Sequence, residues 1–245
     1  MTYRPREFWE ERLREQFDLR GSGETGLSLG YNRACYALRR VQLERALRDA
    51  GIDPAGRRVL DAGCGTGFFT EYYLGRGADV TGLDITTASV ERLRRRFPQA
   101  RFVLADLSEA ELDARYDLVH AFDVLYHITE DTRWEAAVRH LAGAVAPGGH
   151  LLLTDLFAEA GAHAEHNVIR PLAAYRRLLE DSGLKPGRLY PTHVLLNRDL
   201  GALRFLNRLP ALLYAVDRAL LAAGPPLPIR ANRILVAHRP AAPAA

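Results

Sequence analysis

The chain reads as an α/β protein built on a mostly parallel sheet of seven strands with crossover helices. Three observations predict this. From Arg58 onward, short apolar runs alternate with segments of helical period, the pattern of strands returned to one sheet by helices. The first run, Val59-Leu60-Asp61-Ala62, passes straight into the glycine turn Gly63-Cys64-Gly65-Thr66-Gly67 and then into an apolar-periodic helix opening at Phe68. Acids close three successive runs: Asp61, Asp84 and Asp106.

The elements follow in order. Phe8, Trp9, Leu13 and Phe17 recur at helical spacing among charges, which predicts a helix over 5–19. The glycines at 21, 23 and 26 make a loop, and Asn32 is placed to cap a second helix that runs to about Ala50 and stops before Gly51 and Pro54. Strands are expected at 58–62, 79–84, 101–105, 116–121, 150–154, about 187–195 and 233–237. Helices are expected at 67–76, 87–97, 130–146 and 171–182, bounded by Gly77, Pro98, Pro147-Gly148-Gly149 and Gly183. Residues 200–222 form a further apolar helical stretch, followed by a Pro-rich turn over 224–228. Three units result: an N-terminal helical lid or buttress over 1–55, a sheet domain over 56–239 with a helical insertion at 198–228, and a disordered tail over 240–245.

Composition narrows the function. The 245 residues carry 33 Lys and Arg against 30 Asp and Glu, a net charge of +3, so no strong field for nucleic acid is built in. Arginine runs such as Arg94-Arg95-Arg96 sit among acids and read as solvated helix faces. Two cysteines, one inside the glycine turn, do not make a disulfide framework. The first twenty residues are charged throughout, unlike a secretion signal, and no apolar run is long enough for a membrane span. A soluble cytoplasmic protein is expected.

In an open parallel sheet, ligands lie beyond the carboxyl ends of the strands, at the switch point. Glycines there admit φ > 0 and a close ligand approach, and the following helix offers free N–H groups. The spacing is G-x-G-x-G, distinct from the G-x-G-x-x-G dinucleotide fingerprint, and it lacks the G-K-[ST] ending of a phosphate loop. Asp84, about twenty residues downstream, can accept both hydroxyls of a ribose. Asp106 can accept an exocyclic amine, with the Leu107 N–H facing a ring nitrogen. Each acid also has a plainer use, as the cap of the next helix.

The segments VLDAGCGTGFF, VTGLDIT, RFVLADL, YDLVHAFDVLYHI and LAGAVAPGGHLLLTDLF, spread over about 57–155, resemble the class I methyltransferases that depend on S-adenosylmethionine (SAM). The resemblance implies a doubly wound sheet of order 3-2-1-4-5-7-6 with the last strand antiparallel. It implies that Gly63, Cys64, Gly65 and Gly67 pass under the methionine part of SAM and that Asp61 orders the turn from beneath. Asp84, with Ile85 beside it, would hold the ribose, Asp106 and Leu107 the adenine, and the backbone near Phe122 the methionine amino group. S-adenosylhomocysteine would be the product. The resemblance also speaks against base methylation, because Phe122-Asp123-Val124-Leu125 stands where an Asn/Asp-Pro-Pro-aromatic turn is found in amino-methyltransferases acting on bases.

The expected function is therefore methyl transfer to a small molecule, most simply to a hydroxyl, with an amine acceptor or a non-catalytic SAM-binding role as alternatives. His127 is the candidate general base, since imidazole titrates near neutrality; packing or capping is its other reading. Tyr31, Arg33, Tyr126, His166 and Arg170 are the candidate substrate contacts, with Arg39 an alternative to Arg33 for binding a carboxylate. His163 and His166, even with Asp155, are two loop histidines without a third firm ligand, and Asp123 with Asp155 lacks a convincing Asn nearby, Asn167 being well downstream, so no metal is expected.

Overall fold

The structure, a computed structural model, describes residues 3–110, 112, 114–158, 163–164, 166–196, 200–224 and 231–242. The central sheet comprises β1 (Arg58–Ala62), β2 (Asp79–Asp84), β3 (Arg101–Leu104), β4 (Tyr116–Ala121), β5 (Val145–Asp155), β8 (Lys185–Pro191) and β9 (Arg233–His238). A separate two-strand ladder, β6 (His163–Ala164) with β7 (Asn167–Val168), branches off after β5. The sheet order is β3-β2-β1-β4-β5-β9-β8, which is the expected 3-2-1-4-5-7-6 once the small ladder is set aside. β9 runs antiparallel to both of its neighbours, and the pairs from β3 to β5 are parallel.

Alternation along the strands divides the core between two faces. Val59, Leu118 and Leu152 pack with Leu43, Leu47 and Tyr73, from helices α2 (Leu29–Asp49) and α3 (Phe68–Leu74). Leu60, Val119, Leu151 and Leu153 face the other way, onto α5 (Asp131–Ala144) and α6 (Leu172–Asp181). Helix α4 (Thr87–Arg96) seats Val90 and Leu93 against Phe102 of β3. Helices α1 (Pro5–Glu15) and α7 (Pro210–Ala223) complete the set, with α7 lying on α2.

The strand expected at about 187–195 runs instead over Lys185–Pro191, and four other boundaries differ from expectation for local reasons. Helix α1 ends at Glu15 because Gln16 turns extended, at φ −137°. The cap of α2 is Ser28, whose hydroxyl accepts from Tyr31 N–H, whereas Asn32 lies one turn inside and spends its amide on the Glu24, Leu27 and Ser28 carbonyls. Strand β5 begins at Val145, before the Pro-Gly-Gly that reads as a breaker, with an irregularity in its pairing to β4 that absorbs it. The stretch 200–222 divides into a 3-10 segment, Gly201–Arg208, and α7, which starts on Pro210 at a position where the missing N–H costs nothing. Of the Pro-rich turn and the tail, residues 225–230 and 243–245 lie outside the described residues.

Candidate functional site

A cleft partly open to solvent lies over the carboxyl ends of β1, β2, β3 and β4. Its floor is the glycine turn. Gly63, Gly65 and Gly67 all have positive φ, at 74°, 49° and 82°. Space is as restrictive as conformation at two of them. A Cβ on Gly63 would stand 2.2 Å from Val124 Cγ2, and one on Gly67 2.5 Å from Leu93 Cδ2. The turn is tied to the next strand, since Gly63 and Cys64 N–H both donate to the Leu83 carbonyl, at 2.7 and 3.0 Å. Beneath it Asp61 is buried, accepting from Thr70 Oγ1 at 2.6 Å and lying 3.0 Å from His120 Nδ1.

Asp84, Ile85, Asp106, Leu107 and Phe122 join Asp61, Gly63, Cys64 and Gly65 on the walls of this one cleft. Both carboxylates meant for the nucleoside already have protein partners. Asp84 Oδ2 accepts from Gly65 N–H at 2.8 Å, and Oδ1 accepts from Thr86 N–H and hydroxyl at 2.9 and 2.7 Å. Burial raises the Asp84 carboxyl above its ordinary range, partly offset by those donors. Asp106 accepts from Ser108 N–H and hydroxyl and pairs with Arg133 at 2.7 Å. Each acid thus performs the helix-start or turn role as well as facing the cleft, and a carboxylate has lone pairs left for a ligand.

The N-terminal segment lies across the opening, with Pro5, Trp9, Leu13 and Ser22 on the cleft wall. It is fastened by polar contacts that spacing does not reveal. Glu10 Oε2 accepts from Thr87 and Ala88 N–H at 2.6 and 3.3 Å, placing an anion on the start of α4. Arg92 donates back to the Leu13 and Arg14 carbonyls that end α1. Ser22 Oγ lies 3.1 Å from Thr66 Oγ1, joining the loop to the glycine turn, and accepts from the Tyr36 hydroxyl at 2.9 Å.

At the far end of the cleft stands Asp123, whose φ of 58° is left-handed. Its carboxylate pairs with Arg39 Nε at 3.2 Å and accepts from Asn232 Nδ2 at 2.6 Å and Thr154 Oγ1 at 3.2 Å. Burial alone pushes this carboxyl up, but Arg39, Asn232 and Thr154 outweigh it and hold it below the ordinary carboxylate range. His193 is half-buried close to Arg39 and Asp123, and desolvation lowers its imidazole to about 4.

His127 borders the cleft from a single 3-10 turn, Leu125–His127. Its Nδ1 lies 3.1 Å from the His166 carbonyl, an acceptor only, so Nδ1 carries the hydrogen and Nε2 keeps its lone pair. The ring packs between Trp9 at 4.7 Å and Tyr126 at 4.4 Å. Burial lowers this imidazole from 6.5 to about 4, against the opposing pull of the His166 carbonyl and Asp123.

The other candidates are placed differently. Tyr31 is 1% exposed in the α2–α7 core with Leu38, Leu213 and Leu221, and does not border the cleft. Arg33 is exposed on α2, also off the cleft, because its helix turns the Tyr36 and Arg39 face inward. Arg170 is 5% exposed, bonded to Asp131 and the Thr129 carbonyl and laid over Trp134, so it serves the α5 start. His166 stacks on Phe8 at 5.3 Å and supports His127 from behind. Tyr126 lies behind His127, off the cleft wall, its phenol pushed well up by burial.

Asp123 and Asp155 do not converge. Thr154 reaches Asp123, and the next side chain on β5, Asp155, points to the opposite face and accepts from the Tyr175 hydroxyl. Burial raises the Asp155 carboxyl to about 6. The side chain of His163 lies outside the described residues. Among the described residues, no three His, Cys, Asp or Glu side chains are grouped to hold a metal.

Sequence reasoning missed Trp9, Ser22, Tyr36, Phe69 and His120 on the cleft wall, and Asn232 as the partner of Asp123. Only the amphipathic period of α1 pointed toward Trp9. Asn232 is 109 residues from Asp123, a distance no spacing rule bridges.

Known proteins agree with this architecture. Residues 29–186, well over half of the chain, match the methyltransferase domain family, and the chain belongs to that family. Its fold is the class I, Rossmann-like one. A ubiquinone biosynthesis O-methyltransferase of Xanthomonas axonopodis pv. citri (strain 306) is 32% identical over 133 residues, covering 52% of this chain and 54% of that protein. The chain spans about half the length of the curated relatives it matches. Magnesium protoporphyrin IX methyltransferase from Synechocystis PCC 6803, solved with bound SAM, superposes with a TM-score of 0.64 at 20% identity, covering 96% and 94% of the two chains. The 1,6-didemethyltoxoflavin-N1-methyltransferase of Burkholderia thailandensis, solved with S-adenosylhomocysteine, gives a TM-score of 0.57 at 18% identity over 83% and 79%.

Proposed function

We propose that this protein is a SAM-dependent methyltransferase acting on a small molecule. The observation that carries the reading is the meeting of two left-handed glycines, Gly63 and Gly65, and three strand-end acids around one cleft, with the third glycine, Gly67, packed off the wall against Leu93. In it, Gly63, Cys64, Gly65 and Gly67 lie under the methionine portion, Asp84 and Ile85 meet the ribose, Asp106 and Leu107 meet the adenine, and Phe122 borders the methionine end. Residues 1–55 act as the lid, and the 198–228 insertion caps the acceptor side. When bound, SAM supplies an activated methyl group on a sulfonium. The chain's share is then to align the acceptor, exclude water and take up a proton where the acceptor carries one.

His127 is the proton acceptor in this reading, through Nε2. An imidazole held at about 4 is unprotonated near neutrality but a weak base. It suits an already acidic hydroxyl, and it equally allows an amine that brings its own lone pair, which is the specific reason to keep amine methylation as the second reading. His127→Ala is expected to leave SAM affinity intact and lower kcat at least ~100-fold on a hydroxyl acceptor. The wild-type rate should be level from pH 6 to 8 and fall only toward the pKa of about 4. Full turnover by the folded variant would remove the base and leave the amine reading.

The defining experiment incubates purified protein with SAM and a metabolite extract and measures S-adenosylhomocysteine, with and without EDTA. Product is expected in both, because Asp123 is satisfied by Arg39, Asn232 and Thr154. SAM binding without product would leave a non-catalytic binder. Asp84 tests the cofactor site itself. Asp84→Asn keeps the side chain's shape and an acceptor oxygen for Gly65 N–H but loses charge-assisted bonds worth about 1.5–3 kcal/mol each. Calorimetry should show SAM binding at least ~10-fold weaker; unchanged affinity would displace the ribose from this strand end.

A further inference from the structure

The outer face of the C-terminal cap has an unusual composition. Over Gly201–Ala223 the exposed residues are glycine, alanine, leucine, phenylalanine and three arginines, Arg204, Arg208 and Arg218. Leu203, Phe205, Leu209 and Leu212 are 55, 58, 49 and 53% exposed. A surface helix ordinarily turns a polar face to water. Here the inner face is already used, with Leu213 and Leu221 packed on Tyr31 and Leu38. The one acid of the segment, Asp217, is fully buried, its carboxylate accepting from the N–H groups of Val194, Leu195 and Leu196. The surface of this segment is therefore apolar and cationic with no compensating negative charge. Arg40, Arg48 and Arg218 border the adjoining groove between α2 and α7, where Glu44 is drawn to Arg76.

We propose that this face docks on an anionic phospholipid leaflet, with the leucines and Phe205 entering the headgroup boundary and the arginines at the lipid phosphates. Charge complementarity selects this occupant. A second copy related by a two-fold axis would press the same cationic patch against itself. Net apolar character with no exposed acid among the described residues of the segment is the pattern of an interfacial amphipathic segment, and anionic lipid attracts each basic residue near its surface. Among the described residues no helix is long and apolar enough to cross a membrane, so the segment lies in the interface plane. The proposal does not depend on the reaction assigned to the cleft.

The test sediments the full chain with vesicles of phosphatidylcholine alone and of phosphatidylcholine mixed with phosphatidylglycerol. Binding is expected to the mixed vesicles, weak or none to the neutral ones, and reduced by high salt. Leu203→Ser combined with Phe205→Ser should weaken binding at least ~10-fold through lost apolar burial, with an unchanged melting temperature showing that the variant is folded. Arg204→Gln combined with Arg208→Gln should weaken it on the order of tenfold. No binding to the mixed vesicles at low salt, or equal binding by the folded serine variant, overturns the proposal. A dimer in light scattering that the serine substitutions dissociate also overturns it, in favour of a second copy.

Discussion

Replacing Asp123 by alanine is expected to cost about 3–5 kcal/mol of folding stability, the range for removing one partner of a buried ion pair. The carboxylate and the Arg39 guanidinium are each only about one-sixth exposed, at 15% and 16%, so little water replaces the lost partner. Arg39 would keep its contact with the Tyr36 ring, 5.0 Å from the centroid, but lose its anion, and Asn232 and Thr154 would lose an acceptor. Alanine also tolerates the left-handed φ of 58° poorly, which adds about 1 kcal/mol or more. Asp123→Asn separates the two contributions, because asparagine keeps the shape and accepts left-handed backbone. Denaturant unfolding should rank wild type above Asp123→Asn and Asp123→Asn above Asp123→Ala. Arg39→Met in the Asp123→Ala background should restore part of the loss, since two absent charges cost less than one left alone. A loss below about 1 kcal/mol for Asp123→Ala would mean that Arg39 is solvated in solution and the pair is not a structural centre.

Stability should also fall by roughly 3 kcal/mol as pH drops from about 6.5 to about 4. His127 and His193 are each held near 4 in the folded chain, against 6.5 when unfolded. Between those values the unfolded chain binds the extra proton, so each histidine contributes stability that is present above pH 6.5 and lost as pH falls toward 4. Asp155 works the other way. Its folded value of about 6 exceeds the unfolded 3.8, so the folded chain binds the extra proton there and gains as pH falls through 6. Counting these three groups, two histidines against one carboxyl leave about one net proton favouring the unfolded state, or ~1.4 kcal/mol per pH unit; His150, lowered by burial and His238, adds to this, and Asp84, raised by burial, opposes it. Urea unfolding at several pH values reads this slope directly. Asp155→Asn should steepen it and His193→Gln should flatten it. A flat profile over pH 4–6.5 would show that both imidazoles reach water in solution.

The sequence alone determined the sheet and the cleft floor. Strand runs separated by helical periods leave little freedom in how a parallel sheet is wound, and a glycine triplet straight after a strand has one conformational use. Asp84 and Asp106 were legible for the same reason, as strand ends are local and all meet at the same edge of the sheet. The tertiary structure alone decided which side chains share a wall. Tyr31 and Arg33 lie one and two turns from Tyr36 and Arg39 on the same helix, yet one is core, one is exposed and only the latter pair turns to the cleft and Asp123, because the docking of α7 fixes the rotation of α2. Arg170, a candidate substrate contact in the sequence, is bound to Asp131, 39 residues away. The low value of His127 likewise comes from burial beneath Trp9 and the His166 ring, from two segments distant from it in sequence. Local pattern encodes backbone path and periodicity; pairing across the fold, and the desolvation that tunes charges, exist only once distant segments have met.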